Sequence, residues 1–140
     1  MTQYHLDFET YSPEDINKYG AFKYAEHPDT EILICAIARG DEDPVVWRCD
    51  QDAQGWENVT FGNLLRGMLE EPDAVIYAHN SQFETAIAAQ LWEKTFGTVA
   101  PDLSEWRCTA AMARRAAIPS ALGACAQFLG LGEQKDKEGK

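Results

Sequence analysis

The sequence predicts an α/β domain: one mixed sheet, begun by a three-strand meander and extended by parallel strands, with helices on both faces. Three observations predict it. Residues 3–9 alternate, with Tyr4, Leu6 and Phe8 on one side and His5, Asp7 and Glu9 on the other, which is the period of a strand. Two more apolar runs follow, residues 32–38 and 45–47, at spacings that permit an antiparallel meander. Beyond residue 60 the pattern changes to helical stretches separated by short apolar strands.

After the first strand, Ser12-Pro13-Glu14-Asp15 reads as a turn or helix start, and Gly20 closes that excursion. The run 32–38 is almost unbroken and rich in isoleucine, which suits a strand covered on both faces. Gly40-Asp41-Glu42-Asp43-Pro44 turns the chain into the third strand. Phe61, Leu64, Leu65, Met68 and Leu69 then occupy one face of a helix, with Thr60 placed to cap it and Glu71-Pro72-Asp73 to stop it. Residues 74–77 form a short apolar strand, and His79-Asn80-Ser81 a polar turn. Phe83, Ile87 and Leu91 mark the next helix. Pro101 and Asp102 interrupt, and Trp106-Arg107-Cys108 supplies one more short strand. Thr109 can cap an alanine-rich helix that Pro119 ends. Ser120 can cap another, with Leu122, Cys125, Ala126 and Leu129 on its buried face and Gly130 beyond its end. Residues 133–140 are charged or polar apart from Gly139 and are expected to form a disordered tail.

With 140 residues, no internal repeat and no linker, the chain is read as a single domain, 1–140. Ribonuclease-H-like folds share this order of elements, as do some unrelated α/β domains, so the order leaves function open. Composition is that of a globular protein, 45% apolar and 25% charged. No window is long and apolar enough for a membrane span, and the N-terminus lacks the basic start and apolar run of a secretory signal. A cytoplasmic location is therefore expected. The four cysteines, Cys35, Cys49, Cys108 and Cys125, include no CxxC pair; Cys35 and Cys125 lie in apolar stretches and read as reduced core thiols. The net charge of −11 opposes nucleic-acid binding unless divalent cations bridge carboxylates to phosphate, or an attached domain supplies affinity.

Two groups of residues carry chemistry. Asp7 and Glu9, two positions apart on a strand, share a face with Cα atoms about 6.6 Å apart, close enough for both to reach one pair of hard cations. They end an apolar strand, where ligand sites of open α/β sheets lie. The second group is Ala78-His79-Asn80-Ser81-Gln82-Phe83-Glu84. If its strand runs parallel beside the first, Glu84 adds a third carboxylate. The same residues also match a capping box, Ser81-x-x-Glu84, in which both side chains satisfy backbone N–H groups, and on that segment alone capping is the better reading. His5 and His79 raise the further possibility of a zinc site, against packed or hydrogen-bonded histidines.

At this point a resemblance enters. The stretch His5-Leu6-Asp7-Phe8-Glu9-Thr10-Tyr11-Ser12 resembles the first motif of the DEDD exonuclease superfamily, and Ala78-His79-Asn80-Ser81-Gln82-Phe83-Glu84 resembles its second. The likeness is to the proofreading domain that begins many phage family A DNA polymerases. It continues through Gly20-Ala21-Phe22-Lys23-Tyr24-Ala25, Glu31-Ile32-Leu33, Trp106-Arg107-Cys108-Thr109-Ala110, Ile118-Pro119-Ser120-Ala121-Leu122, Leu129-Gly130-Leu131 and Lys135-Asp136-Lys137-Glu138-Gly139-Lys140.

The resemblance implies that Asp7, Glu9 and Glu84 are catalytic and hold two divalent cations, Mg²⁺ or Mn²⁺. The superfamily usually has aspartate where Glu84 stands. Thr10 and Asn80 match positions that hold the terminal nucleotide, and Phe8 belongs to the core. Arg107, Arg114, Arg115 and Lys135 are candidate phosphate contacts, with solvated surface as their alternative, and Arg107 is taken as substrate-binding. The implied substrate is a single-stranded DNA 3′ end, and the implied partner is a polymerase domain in the same or a companion chain, with no membrane. The third motif of the family, a tyrosine or histidine followed by a last metal-binding aspartate, is expected beyond residue 140. On that account the chain is expected to bind metal weakly and to cleave slowly or not at all. The rival expectation is a catalytically inactive ribonuclease-H-like module that binds nucleic acid or protein.

Overall fold

A computed structural model of the chain describes residues 1–51 and 59–132. The opening alternation forms strand β1, Thr2–Tyr11, with Tyr4, Leu6 and Phe8 buried and His5, Asp7 and Glu9 exposed. Strands β2 (Glu31–Arg39) and β3 (Val45–Arg48) complete the antiparallel meander. Strands β4 (Ala74–Ala78) and β5 (Trp106–Cys108) add in parallel on the other side of β1. The sheet order is β3-β2-β1-β4-β5, so β1 is central, in the mixed, ribonuclease-H-like arrangement expected. On β2 only Ile32, Cys35 and Ile37 are buried, while Leu33, Ile34, Ala36 and Ala38 are half-buried. One face of that strand is covered fully and the other in part, which corrects the expectation of two covered faces.

Among the described residues five α-helices accompany the sheet: α1 (Ile16–Glu26), α2 (Val59–Glu70), α3 (Ser81–Phe96), α4 (Thr109–Arg115) and α5 (Leu122–Phe128). Several of their ends differ from the sequence expectation. Gly20 does not close the first excursion: its non-helical backbone (φ 83°, ψ 172°) only breaks α1, which resumes to Glu26. Thr60 is the second residue of α2 rather than its cap, and the residues before Val59 lie outside the described ones. Thr109 is likewise inside α4, which the Cys108 side chain caps and which ends at Arg115, four residues before Pro119. In α5 the cap position is Ala121, not Ser120, and no side chain satisfies it. Of its expected buried face only Ala126 is buried; Leu122 and Leu129 are 46% and 52% exposed. Gly130 lies just past the helix as expected, at φ 68°. The expected tail, residues 133–140 with Lys135, lies outside the described residues.

The core is aromatic. Trp92 meets Phe96 edge-on at 5.0 Å, Trp47 meets Phe96 at 5.2 Å, and Phe8 reaches Trp92 at 6.2 Å. Such pairs add about 0.5–1.5 kcal/mol each beyond burial. Phe8 thus pins β1 between its two acidic residues. Among the described residues no helix is long and apolar enough to cross a membrane.

Candidate active site

The parallel register of β1 and β4, from Thr2 opposite Ala74 to His5 opposite Tyr77, determines where the site lies. Strand β4 ends at Ala78, level with the middle of β1, and the chain turns at His79 and Asn80 into α3. Asn80 takes a left-handed conformation (φ 64°, ψ 58°), which asparagine tolerates better than most residues. That turn makes Ser81 the first helical residue, and the Asn80 side chain accepts no capping hydrogen bond. The Ser81–Glu84 capping box is therefore not formed. What the sequence made the better reading for this segment is wrong, because the cap position falls one residue earlier.

Glu84 is instead turned inward. It is 3% exposed, and its Oε2 atom has no hydrogen-bond partner. Burial pushes its carboxyl up to about 8; a hydrogen bond with its own backbone opposes this, and the charges of Asp7 and Cys108 add to it. A buried carboxylate oxygen without a partner is costly, so the protonated form is favoured. Asp7 also lies close enough to Cys35, beneath the sheet, to reinforce the upward push that burial gives that thiol. Glu9 stands on the same exposed side of β1 as Asp7. Among the described residues no three His, Cys, Asp or Glu side chains stand together as a metal-holding group. The structure brings Asp7 and Glu84 together and leaves Glu9 further along the strand.

The Thr10 hydroxyl is 2.8 Å from the Tyr24 hydroxyl, which ties the end of β1 to α1. Asn80 is exposed at the mouth of α3. Arg107 is paired with Tyr77 across β4–β5, and one guanidinium nitrogen donates to the Ser104 and Trp106 carbonyls at 2.7 and 2.8 Å. Arg114 and Arg115 are exposed at the end of α4. His79 is not available as a zinc ligand: Nδ1 lies 2.9 Å from the Thr109 hydroxyl and Nε2 lies 2.6 Å from the Ser120 carbonyl. It clamps the turn before α3 to the α4–α5 end of the chain. His5 stacks on Tyr77 at 5.6 Å, and both line a cleft of about 330 Å³ with Asp7, Ala36, Thr109 and Leu122.

Sequence reasoning missed Cys108. Its Sγ accepts from the Ser81 and Ala111 N–H groups, both at 3.4 Å, so one thiol caps α4 and touches the first residue of α3. Burial raises this thiol, but hydrogen bonds from the Ala111, Ser81 and Asn80 backbones outweigh burial and leave it below its ordinary value. The only signal in the sequence was a small polarisable residue ahead of an alanine-rich run, a position where Ser, Thr, Asp or Asn is usually sought.

No protein-family model matches the sequence. Over all 140 residues the chain is 36% identical to a DNA polymerase of Bacillus phage SP02, and it spans 20% of that protein's length. Among solved structures, the apo form of a nuclease superposes with a TM-score of 0.57 at 18% identity, covering 97% of this chain and 55% of its own. NrnC of Brucella melitensis with bound Mg²⁺ superposes with a TM-score of 0.53 at 17% identity, covering 96% of this chain and 57% of NrnC. A second structure of NrnC gives 0.55 at 17% identity over 99% of this chain. At such identities these structures speak for the fold. The likeness to a phage DNA polymerase runs along the whole sequence, and the chain has a fold similar to that of these nucleases.

Proposed function

We propose that the chain is a metal-dependent 3′→5′ exonuclease domain that removes nucleotides from single-stranded DNA ends and proofreads for a polymerase domain in the same or a companion chain. The single observation that carries this reading is Glu84: a buried carboxylate with an unpaired oxygen, in the field of Asp7, at the first turn of a helix. That orphaned oxygen fits a hard cation, and so does the all-carboxylate donor set. Asp7, Glu9 and Glu84 would hold two Mg²⁺ or Mn²⁺ ions. When bound, those ions supply an activated water and neutralise charge on the scissile phosphate and leaving oxygen. The related NrnC, similar in fold, has been seen with Mg²⁺.

The residues of the chain then divide the work. Glu84 must lose its proton to serve, and Asp7 faces it from β1. Phe8, locked into the aromatic core, keeps β1 from shifting as charge accumulates on either side of it. Thr10, held by Tyr24, and exposed Asn80 flank the carboxylates where a terminal nucleotide would lie. Readout of the backbone rather than base edges suits an enzyme that must accept any sequence.

A second reading, a catalytically inactive ribonuclease-H-like module, draws on two facts: no three metal-holding side chains are assembled among the described residues, and the net charge is −11. The two readings part on one assay. A 5′-labelled single-stranded DNA incubated with Mg²⁺ or Mn²⁺ should shorten from its 3′ end, and Asp7→Ala should slow this by about 100-fold or more. An undigested substrate under both metals would leave the inactive module as the better account.

A further inference from the structure

Helix α1 shows an arrangement of side chains that packing does not explain. Between Ile16 and Ala25 the only charged residues are Lys18 and Lys23, in a chain whose net charge is −11. Between them stand Tyr19 and Phe22, which are 45% and 58% exposed. The Lys18 Nζ lies 5.1 Å from the centre of the Tyr19 ring, so cation and ring already associate. Glu14 and Asp15 precede this strip and Glu26 follows it; the Asp15 carboxylate is engaged in capping the helix, at 2.9 Å from the Asn17 N–H. Lysines flanking exposed rings match the chemistry of single-stranded nucleic acid, whose bases stack on aromatic faces while its phosphates meet cations.

Through Tyr24 the strip is joined to the neighbours of the carboxylates. Tyr24, two residues after Phe22, contacts Thr10 through its hydroxyl at 2.8 Å, directly beyond Glu9. Its ring lies 5.9 Å from that of Phe83, the neighbour of Glu84. Its backbone carbonyl accepts from Thr30 at 2.6 Å and from Ser12 at 3.4 Å. Helices α1 and α3 also pack against each other. A strand of DNA with its 3′ end at Asp7 and Glu84 could therefore leave the site along α1.

We propose that Tyr19 and Phe22, with Lys18 and Lys23, form a stacking path that holds the single strand behind its terminal nucleotide. This rests on the substrate class proposed above, and it adds the residues that would give affinity to an acidic domain. Stacking is indifferent to base identity, so the path would hold any sequence.

The test separates binding from chemistry. Anisotropy of 5′-labelled dT12 with the full chain, in EDTA and low salt, reads the path alone. Hydrolysis of the p-nitrophenyl ester of thymidine 5′-monophosphate with Mn²⁺ reads the carboxylates alone. Tyr19→Ala and Phe22→Ala should each weaken dT12 binding by roughly five-fold or more, on the scale of base–aromatic stacking, while Tyr19→Phe binds as the wild type does. Lys18→Gln and Lys23→Gln, which leave the rings in place, should each lower the salt dependence of binding by about 0.7 in the log–log slope. Ester hydrolysis should survive all of these changes and be lost in Asp7→Ala. Wild-type protein that fails to bind dT12, or ring and lysine variants that bind it as tightly and with the same salt slope, would overturn the path even if the ester is cleaved. Ring-dependent binding without ester cleavage would support the path and count against the proposed catalysis.

Discussion

Two glutamates bracket strand β4, and they have opposite surroundings. Glu71, just before the strand, accepts the Tyr4 hydroxyl at 2.8 Å and pairs with Arg39 at 3.6 Å. Hydrogen bonds from Thr2 and Tyr4, helped by Arg39, hold its carboxyl below the usual range. Glu84, just after the strand, is buried with an unpaired oxygen and is raised to about 8. One end of the β1–β4 pair is closed by a satisfied polar network and the other holds an acid that the protein alone does not satisfy. A carboxylate with donors fastens the sheet, whereas one buried with an oxygen unpartnered costs stability, and on that cost the proposed metal site rests. The other buried polar atom without a partner among the described residues is Trp47 Nε1, a neutral donor whose desolvation costs far less than that of a charge.

The comparison breaks most sharply with pH. Because Glu84 titrates higher in the folded chain than when unfolded, its contribution to stability is complete below pH 4.5 and is lost as pH rises towards 8. In metal-free protein Glu84→Gln should therefore leave stability near pH 4 unchanged and raise it at pH 9 by about 2–5 kcal/mol. Urea denaturation at both pH values measures this; equal stabilities at pH 9 would show that Glu84 is not the buried acid described.

Metal should sharpen the same contrast. Saturating Mg²⁺ or Mn²⁺ should raise the wild-type melting temperature, with a stabilisation of about 2–3 kcal/mol at a hundred-fold excess over Kd, and should leave Glu84→Gln where it was. A calorimetric scan with and without metal decides, and an identical shift in both proteins would place the cation elsewhere.

The smallest effect belongs to the closed end. Tyr4→Phe removes the buried donor to Glu71 and should cost about 1 kcal/mol, since the half-exposed carboxylate can turn to water. The pH dependence of Glu71 has the reverse sign: its folded value is depressed, so its stabilisation is present above the unfolded value and is lost as pH falls through the folded one. A destabilisation in Tyr4→Phe as large as the Glu84 effect would erase the distinction between the two ends.

Much of this architecture was legible in the residues. The alternation of Tyr4, Leu6 and Phe8 against His5, Asp7 and Glu9 placed each side chain on its observed face, because strand period and burial are both written locally. Pro72 and Gly130 marked real helix limits for equally local reasons, a missing N–H and a left-handed turn. The caps were read less well. Thr60, Ser81, Thr109 and Ser120 all have cap chemistry, yet none occupies a cap position among the described residues. Which residue caps a helix depends on the angle at which the chain leaves the preceding strand, and for α3 and α4 that is decided by the sheet.

By itself, then, the sequence determined the first strand, its acidic face and the apolar runs that become the other strands, since each rests on periodicity within a few residues. Only tertiary structure decided what Glu84 is. The same Ser81-x-x-Glu84 spacing serves a capping box or a buried acid, and the parallel register of β4 beside β1 brought Glu84 under Asp7 and away from water. Only tertiary structure, too, gave Cys108 its place between the starts of α3 and α4, because the Ser81 N–H that its sulfur accepts lies 27 residues away along the chain. Long-range register is a property of the whole sheet, and no local pattern encodes it.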